Sequence, residues 1–179
     1  MSADTLICLI GLPGSGKSTV GRQLSKRLGL RFVDTDHEIE QRLNGSIRAY
    51  FESHGETKFR TMESDLVEEL TQQQGAVLAT GGGVVLNEKN RAVLSQRGQV
   101  VYLHCRPEEI FKRLRHDRTR PLLQVADPRI RLNELYLQRD PLYREIACVV
   151  VDTGKPTVSG LVKEIIARLD IFDRMNKPA

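Results

Sequence analysis

The chain alternates short apolar runs with segments in which apolar positions recur every three or four residues. Leu6–Ile10 is an unbroken apolar run closed by Gly11, the pattern of a strand buried on both faces. Val20, Leu24 and Leu28 then fall at i, i+4 and i+8, and Gly29 stops them, which predicts a helix. Arg31–Asp34 predicts a second short strand. Polar helical segments follow over residues 36–74, broken near Gly45 and Gly55. Residues 76–80 predict a third strand running into three glycines. A helix is expected over 88–96, a fourth strand over Gln99–His104, and a helix opened by Pro107. Residues 116–125 are basic, contain Pro121 and show no period, which predicts a mobile loop. A helix over 128–143 and a fifth strand over 148–151 come next. The last helix carries Val158, Leu161, Val162, Ile165, Ile166 and Leu169 as one stripe, and the tail after Asp170 is expected to fray.

Apolar strands separated by helices imply an open α/β fold, a parallel sheet covered on both faces with right-handed crossovers. Ligands of such sheets bind at the carboxyl ends of the strands. The 179 residues suit one domain, with 40% hydrophobic and 28% charged side chains, which excludes wholesale disorder. No apolar run reaches the length of a membrane span, and the N-terminus has no basic region before its short apolar stretch, so a cytoplasmic protein is expected. Cys8, Cys105 and Cys148 form no CxxC pair and are expected to be reduced and buried.

The net charge of +4 is localised. Between Arg106 and Arg144 there are ten basic and six acidic residues, and nine of the ten are arginine. Arginine offers a planar fork to phosphate and carboxylate. Aromatic residues are only 5%, with no tryptophan, too few for a stacking surface on nucleic acid. Compact anions are the expected partners.

Gly11, Gly16, Lys17 and Ser18 satisfy G-x-x-x-x-G-K-[ST] over residues 11–18, with Gly14, Ser15 and Thr19 in the same stretch. Glycines there let backbone N–H groups approach phosphate oxygens, and the following helix adds its positive end. Lys17 can reach the β- and γ-phosphates and the Ser18 hydroxyl can bind Mg²⁺. The motif sits between a predicted strand and a predicted helix, as the chemistry requires. Asn176-Lys177 is the only Asn-Lys pair, and Ala179 stands where a guanine-reading motif needs Asp.

On the acceptor side, Asp34 and Asp36 face one way if the strand persists through Thr35. One can bind Mg²⁺ through water while the other accepts hydrogen bonds from substrate hydroxyls. Thr35 and Glu38 equally have capping-box spacing. Two carboxylates would repel a nucleoside monophosphate and suit a polyol. Arg60, taken alone, reads as an exposed helical arginine. Gly81, Gly82 and Gly83 imply a close backbone approach or a flexible turn. An arginine of the basic loop, such as Arg120, can close over a γ-phosphate, and Arg139 can pair bidentately with a carboxylate. Tyr136 and Tyr143 read as packing residues.

Taken together these residues resemble shikimate kinase, a small member of the P-loop kinase group. The resemblance runs from Leu6 to about Leu169. It rests on the phosphate motif, Asp-Thr-Asp at 34–36, Gly-Glu-x-x-Phe-Arg at 55–60, the three glycines at 81–83, Arg-Pro-Leu-Leu at 120–123 and Arg-x-Pro-Leu-Tyr at 139–143. It implies ATP- and Mg²⁺-dependent phosphorylation of the shikimate 3-hydroxyl, in chorismate and aromatic amino-acid biosynthesis. It also implies a five-stranded parallel core, a helical substrate-binding region at about 35–62, a lid at about 113–125, and a monomer. By the same resemblance Asp36 binds shikimate hydroxyls and helps remove the reacting proton, while Arg60 and Arg139 grip the carboxylate. The Gly81–Gly83 backbone lines the site, Ser18 binds Mg²⁺, and Asp34 does so through water. Lys17 and Arg120 attend the phosphates, and Arg113 and Pro156 flank adenine. A related kinase acting on gluconate or a nucleotide is the alternative, and a non-catalytic switch or RNA-binding module the remote one.

Overall fold

The run 6–10 has no polar side chain to turn toward water, and the chain accordingly buries it mid-sheet. In the computed structural model, which describes residues 5–114, 127–154 and 157–175, the strands are β1 Leu6–Ile10, β2 Arg31–Asp34, β3 Ala76–Ala79, β4 Gln99–His104 and β5 Val149–Asp152. All pair in parallel in the order β2-β3-β1-β4-β5. Leu6 lies opposite Ala76 on one side and Ile7 opposite Gln99 on the other.

The helices are α1 Lys17–Leu28, α2 Thr35–Leu43, α3 Ile47–Thr71, α4 Glu88–Arg97, α5 Pro107–Leu114, α6 Pro128–Ile146 and α7 Val158–Met175. The period of two along β1 feeds two cores. Leu6, Cys8 and Ile10 join Leu66 of α3, Leu94 of α4 and Leu135 of α6 on one face. Ile7 and Leu9 join Val20 and Leu24 of α1 and Leu161 and Ile165 of α7 on the other. Ile7 and Leu9 are both fully buried, and each such side chain contributes about 1.5–3 kcal/mol. All five strands point their carboxyl ends at one edge, where the candidate residues gather.

Three expectations need correction. The strand does not persist through Thr35: β2 ends at Asp34, and α2 begins at once. Asp34, extended at φ −115° and ψ 117°, is itself the N-cap and accepts from the Asp36 amide at 3.1 Å. Thr35 is therefore not the cap, and its spacing to Glu38 is no capping box. The helical segment over 36–74 does break at both expected places. Asn44 closes α2 in the left-handed region, and Gly55 (φ 80°, ψ 168°) kinks α3, a conformation few other residues adopt. Finally, α7 continues to Met175; no glycine or proline interrupts the chain between Asp170 and Pro178.

Cys8 and Cys105 are buried thiols, and Cys148 is half-buried with its thiol donating to the Val100 carbonyl at 3.2 Å. Among the described residues no helix is long and apolar enough to cross a membrane.

Candidate active site

The phosphate motif turns directly out of β1. Gly16 (φ 97°) precedes α1, whose own first turn carries no acidic residue, so the helix brings its positive end to the loop with no carboxylate of its own against it. The Lys17 ammonium is buried and folds back over the loop, donating to the Gly11 carbonyl at 2.8 Å and the Leu12 carbonyl at 2.9 Å. The Ser18 hydroxyl donates to Asp34 Oδ2 at 2.5 Å. The Ser15 hydroxyl is buried and has no hydrogen-bond partner among the described residues. Gly14, Gly16, Lys17, Ser18 and Thr19 line a cavity of about 380 Å³, and Asp34, Asp36 and Gly82 form its other side. The phosphate motif and the acceptor residues thus share one cavity.

The three glycines after β3 each make room for a different neighbour. A Cβ on Gly81 would sit 2.8 Å from both Asp36 Oδ1 and Glu63 Oε1. One on Gly82 would sit 2.6 Å from Pro13 Cδ, and one on Gly83 would run into the Arg60 guanidinium. The close-approach reading holds at all three. The segment is anchored through the Gly81 amide, which donates to the buried Thr35 hydroxyl at 2.9 Å.

Arg60 is not the exposed helical arginine that its sequence position alone suggests. It donates to Glu63 at 2.7 Å and to Glu56 at 3.1 Å. The Glu63 side chain is 2% exposed, against 63% for Glu56, so Glu63 dominates the pairing. Burial pulls the Arg60 guanidinium down, but Glu63 and Glu56 together hold it above the usual arginine value. Burial raises the Glu63 carboxyl, with Arg60 opposing. Asp36 keeps water access through the cavity, yet surrounding protein raises its carboxyl, with Lys17 opposing and Asp34 reinforcing.

Arg139 of α6 reaches the same wall, donating from Nη1 to the Gly82 carbonyl at 3.1 Å. Among the described residues its Nε is buried without a partner and no ion pair holds it. Burial lowers its pKa, and the nearby Arg60 adds to that. Two guanidiniums, only one of them in an ion pair among the described residues, are of the chemistry that can accept a carboxylate.

Arg113 lies beside the opposite end of the phosphate motif from the acceptor residues. It donates to the Thr153 carbonyl and shares with Ser15, Thr19, Val158 and Leu161 a second cavity of about 300 Å³. Arg120, Pro156 and the expected loop over 116–125 lie outside the described residues. The structure therefore brings together Gly14, Ser15, Gly16, Lys17, Ser18, Thr19, Asp34, Asp36, Arg60, Gly81, Gly82, Gly83 and Arg139, with Arg113 across the motif.

Sequence reasoning missed Glu63, Thr35 and Tyr143. Glu63 had a signal: Phe59, Glu63, Leu66, Val67 and Leu70 are the buried stripe of α3, and a carboxylate on an apolar stripe demands a partner. Tyr143 is a packing residue as expected, but its hydroxyl also donates to the Gly82 carbonyl at 2.5 Å.

The family model described as shikimate kinase matches residues 13–170. A shikimate kinase from Paracidovorax citrulli is 56% identical over 169 residues, 92% of either chain. The solved structure of an Acinetobacter baumannii shikimate kinase in complex with shikimate superposes with a TM-score of 0.89 at 43% identity, covering 97% of this chain and 96% of that one. A gluconokinase from Sinorhizobium meliloti superposes at 0.62 with 19% identity over 96% and 94% of the two chains, a likeness of fold alone. With a matching family model over most of its length and relatives this similar end to end, the chain belongs to the shikimate kinase family.

Proposed function

We propose that this kinase transfers the γ-phosphoryl group of ATP to the 3-hydroxyl of shikimate. The observation that carries the reading is the shared cavity: Lys17 and Ser18 of the phosphate motif line the same 380 Å³ as Asp36 and Gly82 of the acceptor wall. Donor phosphate and acceptor hydroxyl can meet there without water between them.

Arg60 and Arg139 take the acceptor's carboxylate. Asp36 accepts a hydrogen bond from the reacting hydroxyl and takes its proton as the new O–P bond forms and the bond to the ADP oxygen breaks. Such transfers pass through a loose transition state, so positioning and charge stabilisation outweigh general-base catalysis. Lys17 exchanges its loop carbonyls for phosphate oxygens, and the backbone N–H groups at Gly14–Thr19 cradle the remainder. Arg113 borders the nucleoside.

Ser18 and Asp34 fit a magnesium ion carried in by the nucleotide. Hydroxyl and carboxylate oxygens are hard donors, and these two already meet at 2.5 Å. Among the described residues no cluster of three His, Cys, Asp or Glu offers a dedicated cage, which suits an ion that keeps its waters. When bound, the ion offsets charge on the phosphates. The same reading has the chain act as a cytoplasmic monomer, with its three cysteines as thiols in keeping with a reducing compartment.

Gluconate is also a carboxylated polyol, and acceptor choice is therefore tested directly. ADP release from the purified protein is measured with Mg-ATP and shikimate, gluconate, AMP or no acceptor. Release only with shikimate is the expected result. Release with gluconate or AMP but not shikimate overturns the acceptor and the roles of Asp36, Arg60 and Arg139.

A further inference from the structure

We infer that Tyr143 is a positioning residue of the acceptor site, its hydroxyl fixing the Gly82 carbonyl and, through it, the Gly82–Gly83 peptide and the Arg139 guanidinium. The inference rests on the reading of Arg139 and Gly81–Gly83 as the shikimate-binding wall.

Tyr143 is fully buried and lies one helical turn after Arg139 on the same face of α6. Its hydroxyl and Arg139 Nη1 donate to one oxygen, the Gly82 carbonyl, at 2.5 and 3.1 Å. A carbonyl has two lone pairs, and this one has both engaged. The peptide is planar and trans, so a carbonyl drawn toward α6 turns the Gly83 N–H to the opposite side. At that place there is no slack. Pro13 of the phosphate motif lies close enough to Gly82 to exclude a Cβ, and the Arg60 guanidinium does the same at Gly83. Gly82 is thus held between the phosphate motif and α6, and the Tyr143 bond sets its orientation.

Arg139 depends on the same oxygen. Among the described residues its Nε is buried without a partner, so the Gly82 carbonyl and the adjacent Tyr143 hydroxyl are what orient its guanidinium. The Tyr143 ring is itself secured. It packs on Tyr102 with centroids 4.9 Å apart, and the Tyr102 hydroxyl donates to Asp140 at 2.8 Å, which also accepts from Arg144 at 2.8 Å. Burial pushes the Tyr143 hydroxyl above the usual phenol range, so it stays a donor at neutral pH. A buried tyrosine with a satisfied hydroxyl is ordinary; one that shares its acceptor with a substrate-facing arginine is not.

The test is Tyr143→Phe, which keeps the ring and removes the donor. The shikimate KM is expected to rise about tenfold, the scale of one hydrogen bond, with the ATP KM within about twofold. In a cycle with Arg139→Lys the two losses should be non-additive. An unchanged shikimate KM in Tyr143→Phe, equal rises for both substrates, or strict additivity overturns the inference. If Tyr143→Phe fails to fold, the wild type still decides: shikimate should shift the Gly82 and Gly83 amide resonances, and unmoved resonances overturn it. A wild-type protein inactive with shikimate would instead overturn the acceptor reading beneath it.

Discussion

Replacing Thr35 with valine deletes one oxygen and keeps the shape of the side chain. In the native protein that oxygen accepts from the Gly81 amide at 2.9 Å, and Thr35 is 1% exposed. Valine would leave the amide buried with no acceptor. An unsatisfied buried donor costs about 1–3 kcal/mol. For a chain of this size each kcal/mol moves Tm by about 2–4 °C, so a loss of about 2 kcal/mol predicts a fall of about 4–8 °C. Thermal unfolding followed by circular dichroism measures it, and urea unfolding gives the free energy separately. Thr35→Ser retains the oxygen and should recover most of the loss. Thr35→Asp separates anchoring from capping: aspartate is a strong N-cap former, but Asp34 already caps α2, so at 35 aspartate would only bury a charge and should be worse than valine. Because Gly81 leads into Gly82 and Gly83, valine should also raise the shikimate KM more than the ATP KM. A Tm within about 1 °C of wild type, or a serine variant as unstable as the valine one, refutes the anchoring argument.

Asp36→Asn should lose most turnover with ATP binding intact by calorimetry, and near-normal turnover would remove Asp36 from its role. Arg139→Ala should raise the shikimate KM by about tenfold or more, as loss of a charged hydrogen bond does, and an unchanged KM counts against the carboxylate clamp. Glu63 supplies a pH test. Its carboxyl is raised above 4.5 by burial, so the stability it contributes is fully present below 4.5 and is lost as pH rises through the folded value. Wild-type Tm should therefore decline relative to Glu63→Gln as pH climbs from 4.5 to neutrality, and parallel pH profiles for the two proteins would contradict that sign.

Much of this molecule is legible in its sequence because β1, β4 and the α7 stripe are patterned by burial alone. Leu6–Ile10 and Gln99–His104 are observed with the predicted bounds. The phosphate motif is equally legible, since its chemistry resides in consecutive residues. The acceptor wall is different. Asp36, Glu63, Gly82 and Arg139 come from four separate elements and meet only through the sheet order. Periodicity placed Asp34 and Asp36 on one extended strand, whereas the side chain of Asp34 wins the backbone at that point by capping α2. Thr35 looked like that cap because a hydroxyl followed three residues later by glutamate is the local signature; its true acceptor role is a contact with Gly81, 46 residues away, which no local pattern encodes. Arg60 looked exposed because its own position carries no sign of burial; the sign lay three residues on, in Glu63 on the apolar stripe of α3.

The central place of β1 bears on how the protein is made. The strand synthesised first is paired by β3 and β4, which begin at Ala76 and Gln99. At about 5–20 residues per second the ribosome needs several seconds to supply the first of them. Throughout that interval Leu6–Ile10 is an apolar segment with two open edges, the kind that recruits other chains. The nascent protein is thus exposed to aggregation until β3 is made. The phosphate motif, although contiguous in sequence, acquires its shape only when strands made much later close around the one that precedes it.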